Sequence, residues 1–83
     1  MQNKQLFAEL QRVLEDMDYF ALYPSSRLKS AISLATTDGD RIRLILRDPA
    51  VQEYLFPDYK TAVIHDPRAH YVALRKNGTI PAR

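Results

Sequence analysis

The chain of 83 residues reads as one α+β domain, an N-terminal amphipathic helix packed on an antiparallel sheet. The sheet is expected to hold about four strands from two hairpins, with a short helix between them. Three observations predict this class. Apolar residues recur at helical spacing from Leu6 to Phe20, alternate strictly from Arg41 to Arg47, and flank Asp-Gly and Asp-Pro steps that favour turns. A chain that is 46% hydrophobic and 27% charged belongs with folded rather than disordered sequences. Its length accommodates a single domain over residues 1–83, with 1–2 and 79–83 expected to fray.

The first helix is expected over Asn3 to Phe20. Leu6, Leu10, Val13, Met17 and Phe20 form its apolar stripe, widened by Phe7 and Leu14, and Asn3 is the N-cap. Glu15, Asp16 and Asp18 oppose the dipole at its far end, which therefore frays or meets a cation. Pro24 with Ser25-Ser26 closes the segment. Residues 28–36 fit two patterns. Leu28, Ile32 and Leu34 alternate as a strand would, whereas Leu28, Ala31, Ile32 and Ala35 suit a short helix capped by Ser25 or Ser26. A three-residue Thr37-Asp38-Gly39 loop would pair Leu34 with Ile42 and Ile32 with Leu44, which favours the hairpin.

Asp48 as cap and Pro49 at the first helical position begin a short helix to about Leu55, ended by Pro57. Lys60 to His65 and His70 to Lys76 read as the second hairpin, around Asp66-Pro67-Arg68-Ala69. The inward set is Leu6, Leu10, Val13, Leu14, Met17, Ile42, Leu44, Leu46, Val72 and Leu74, joined by Leu55 and one neighbouring aromatic.

Chemistry is limited by what the chain lacks. With no cysteine there is no disulfide framework, thiolate metal site or Cys nucleophile. Gly39 and Gly78 are the two glycines, too few for a phosphate-cradling loop, and no Gly-x-Ser-x-Gly elbow occurs. Asp38-Gly39-Asp40 lacks the later ligands of a calcium loop. His65, Asp66 and His70 cluster at one turn without the third or fourth protein ligand that a metal normally requires. No catalytic residue, metal or cofactor is therefore assigned, and the chain reads as non-enzymatic. No apolar run is long enough for a membrane span, and the first residues lack a signal-peptide pattern, so a cytoplasmic protein is expected.

The formal charge of +2 is unevenly spread: residues 1–20 carry −2 and the remainder +4. A basic sheet face is expected from Arg41, Arg43 and Arg47 on one strand, with Tyr71 and Arg75 on another. Such a face suits single-stranded nucleic acid. An aromatic patch is expected at Tyr54, Phe56 and Tyr59, residue types enriched where proteins meet. The preferred reading is an inhibitor or adaptor that occupies the surface of a protein partner. Nucleic-acid binding is the alternative, and an open sheet edge would also permit a homodimer.

Overall fold

The computed structural model describes residues 2–57 and 66–76, and they contain helices and no strand. The expected α+β class is thus corrected to all-helical. Helix α1 spans Asn3–Asp16 and turns Leu6, Leu10, Val13 and Leu14 inward, as its periodicity requires. It stops short of Phe20 because Asp18 adopts left-handed backbone angles, φ 57° and ψ 42°. Asp tolerates that geometry better than most residues. The chain restarts as a single turn, α2 (Tyr19–Leu22), with Tyr19 buried and Phe20 turned outward.

Residues 28–34 take the helical alternative as α3 (Leu28–Leu34), whose first N–H is received by Ser26 Oγ at 3.1 Å. The expected strand Arg41–Arg47 lies within α4 (Asp38–Arg47). Thr37 caps α4 by accepting from the Asp40 N–H at 3.1 Å, so the supposed hairpin loop is a helix start. Asp38 and Asp40 in the first turn and Arg47 in the last complement the dipole. Ile42, Ile45 and Leu46 then share one buried face, at three- and four-residue spacing. Helix α5 (Pro49–Leu55) begins at the Asp48 cap as its sequence predicts. The expected strand His70–Lys76 is instead part of α6 (Pro67–Lys76), while the Lys60–His65 strand lies outside the described residues.

Helix α4 is the centre of the fold and packs against α1, α3, α5 and α6. Its Ile42, Ile45 and Leu46 meet Leu6, Leu10, Val13, Leu14 and Met17 from the N-terminal segment and Val51, Leu55 and Phe56 from the α5 region. Leu44 and Leu74, expected inside, are half-buried against this core, and Val72 is half-buried too. Ile45, which strict alternation from Arg41 to Arg47 would turn to the same face as the arginines, is fully buried.

Helix α6 is fastened to α1 by a shared carboxylate. Glu9 Oε1 accepts from the Tyr71 hydroxyl at 2.5 Å and pairs with the Arg75 guanidinium. Burial, then the bond to Glu9, pushes the Tyr71 pKa well above its ordinary 10.0. Tyr19 is raised by burial and by its bond to Asp48. The unfolded chain therefore loses these protons near pH 10 while the folded chain keeps them. Their contribution to stability is complete below about pH 10 and declines above it, by up to about 1.4 kcal/mol per pH unit for Tyr71. Urea melts at rising pH should show this decline, and Tyr71→Phe should remove part of it. An unfolding free energy equally flat in both proteins beyond pH 10 would contradict it.

Candidate functional site

The five residues of the expected basic face do not share a surface. A helix turns by about 100° per residue, so Arg43 and Arg47 stay on one side of α4 while Arg41 points to another. Arg41 is a packing residue. Its guanidinium donates to the Ile32 carbonyl at 3.1 Å and the Ala35 carbonyl at 2.8 Å, and pairs with Asp38 at 2.8 Å. It also lies 5.7 Å from the centroid of the Phe7 ring. Tyr71 is buried and Arg75 is committed to Glu9. The basic sheet face is thereby withdrawn. Of its members, Arg43 and Arg47 remain outward, Arg43 in an exposed pair with Asp40 at 3.1 Å.

The aromatic patch is also redistributed. Phe56 is 2% exposed and its ring meets His70 edge-on at 4.8 Å. Tyr54 is half-buried against the core, and Tyr59 lies outside the described residues. Apolar surface is exposed elsewhere, at Phe20 (41%), Leu22 (61%) and Tyr23 (42%) on and just after α2, and at Leu34 (81%). The unbroken run Tyr19-Phe20-Ala21-Leu22-Tyr23 was the available signal. No one-turn helix can bury every side of five such residues.

Tyr19 holds this segment in place. Its hydroxyl donates to Asp48 Oδ2 at 2.6 Å and accepts from the Ser26 hydroxyl, also at 2.6 Å. That direction follows from the single phenolic hydrogen, which the carboxylate takes. Asp48 Oδ1 accepts the Ala50 and Val51 N–H groups at 2.9 and 3.2 Å, while Ser26 Oγ receives the Leu28 N–H. One hydroxyl thus links α2 to the starts of α3 and α5. Phe20 packs edge-on against the Tyr19 ring at 5.2 Å and Tyr23 lies tilted against it at 5.1 Å.

A second feature is a cleft of about 390 Å³ between α4 and the start of α6. Arg43, Arg47 and Arg68 line it together with Ile42 and Leu46, and Asn3 and Gly39 border it. Among the described residues, no three His, Asp or Glu side chains are grouped to hold a metal, and His65 lies outside that set. Nor is any described helix long and apolar enough to cross a membrane. Comparison with protein-family models, curated proteins and solved structures gives no match.

Proposed function

We propose that the protein acts without catalysis, by seating the Phe20, Leu22 and Tyr23 surface of α2 in an apolar recess of a protein partner. The carrying observation is that Phe20 and Tyr23, both packed on the Tyr19 ring, and Leu22 are exposed on and just after one short turn pinned through Tyr19. Large apolar groups exposed so close in the chain favour association, and aromatic groups are the usual anchors. Pinning matters because a segment already ordered loses little conformational freedom on binding. Glu15, Asp16 and Asp18 precede the patch and are exposed, so the partner's recess should have a basic rim.

A photo-crosslinking amino acid in place of Leu22 tests this. It should give one discrete adduct with another protein, competed by unmodified chain and lost when Phe20→Ala and Tyr23→Ala are added. The same group in place of exposed Glu53 on α5 should give none. An adduct of the chain with itself, or equal labelling from both positions, would overturn the proposal.

A further inference from the structure

The cleft between α4 and α6 is a second surface, separate in chemistry from the apolar turn. Arg43 and Arg47 reach it from successive turns of α4 and Arg68 from the first turn of α6. Among the described residues, neither Arg47 nor Arg68 has an ion-pair partner. The Arg43–Asp40 pair is exposed, with side chains 63% and 44% accessible, and such pairs are readily exchanged. Asp66 is the acid on the cleft wall, and its Oδ1 caps the Ala69 N–H at 3.2 Å. Three guanidinium groups therefore meet two carboxylates, Asp40 beside Arg43 and Asp66 on the wall, which leaves positive charge in excess.

The helix terminus itself adds little. Pro67 has no N–H and Ala69 gives its own to Asp66, so the side chains set the chemistry. The acidic end of α1 does not neutralise the cleft either. Asn3 borders the cleft, and Asp16 lies about 20 Å further along the helix at ~1.5 Å per residue. That separation exceeds the screening length of about 8 Å at physiological salt. The volume sits at the lower end of the ~300–1,000 Å³ range of small-molecule sites. Beyond Arg68 it continues into a shallow groove along α6 lined by Val72 and Lys76.

We infer that this cleft binds a phosphate group, its oxygens shared among Arg43, Arg47 and Arg68. Arginine forks match phosphate oxygens bidentately, and a tetrahedral anion offers enough acceptors for guanidiniums arriving from two helices. Ile42 and Leu46, both core side chains, lie beneath it as the floor of the cleft.

The test measures binding of a short fluorescent oligothymidylate to the full chain as salt is raised, with inorganic phosphate and AMP as competitors. One bound phosphate predicts a shallow slope of log K against log salt, about −0.7 on single strands. Arg47→Gln and Arg68→Gln should each weaken binding about tenfold or more and leave the helical circular dichroism unchanged. Arg12→Gln, the same charge loss on exposed α1, should leave the affinity unchanged. Oligonucleotide binding that AMP does not displace identifies a nucleic-acid backbone as the source. Direct binding of AMP, abolished by Arg47→Gln, identifies a small phosphorylated ligand, and both results support the site. Absence of binding by every probe at low salt would overturn it. So would equal losses from Arg12→Gln and Arg47→Gln, or competition by polyglutamate matching the oligonucleotide charge for charge.

Discussion

Arg41→Ala is expected to cost about 3 kcal/mol, whereas Arg43→Ala two residues later costs less than about 0.5 kcal/mol. The difference lies in what each guanidinium touches. Arg41 bonds two carbonyls near the C-terminal end of α3, at Ile32 and Ala35, and pairs with Asp38 in the first turn of α4. Helix ends carry carbonyls with no partner of their own, and a half-buried cation is an effective substitute. The Phe7 ring beside it adds a contact to α1. Truncation removes all of these at once, in a domain whose net stability at this size is a few kcal/mol. Arg41→Lys should recover less than half, since an ammonium cannot present the same planar fork. Urea unfolding of the three variants would decide it. A loss below about 1 kcal/mol for Arg41→Ala would mean that water satisfies those carbonyls equally well.

Asp48→Ala should be nearly as damaging, at about 2–3 kcal/mol. One carboxylate oxygen caps α5 through Ala50 and Val51, and the other accepts the Tyr19 hydroxyl. Losing the cap is worth about 1 kcal/mol, and the charge-assisted bond to a buried phenol about as much again or more. Asp48→Asn keeps a capping oxygen and should show roughly half the loss. In the Asp48→Ala background, Tyr19→Phe should cost little more, because its carboxylate acceptor is already gone. Full additivity of the two substitutions would separate the cap from the tyrosine and refute the coupling.

The helices around the middle of the chain show where sequence and structure part. Arg-Ile-Arg-Leu-Ile-Leu-Arg alternates perfectly, yet Ile42, Ile45 and Leu46 also fall on one helical face. Seven residues are too few for periodicity alone to choose. The deciding signal was upstream: Thr37 followed three residues later by Asp40, the pattern of a capped helix start. Asp-Pro tells the same story twice. Asp48-Pro49 is read correctly as cap and first helical residue, while Asp66-Pro67, chemically identical, is read as a turn although it also opens a helix. The stripe of α1 was legible because it repeats over four turns. The break at Asp18 was not, since a left-handed Asp has no mark in the pattern.

The candidate surfaces moved with the period. Arginines placed together by alternation are dispersed by a helix, and Arg68, assigned to a turn, joins Arg43 and Arg47 only because α6 packs on α4. Tyr54 and Phe56 lie close to Leu55 in the chain, and the core of so small a domain draws on both.

The central position of α4 also bears on how quickly the chain reaches this arrangement. Two of its neighbours, α3 and α5, adjoin it in sequence, so those contacts require only short loops to close. Only α1 and α6 must arrive from a distance. Closure entropy is therefore met mostly in small increments, and folding belongs in the microsecond-to-millisecond regime of local-contact helical domains. A sheet of the same length, relying on distant pairings, would have been slower and would have left strand edges open to other chains while it formed.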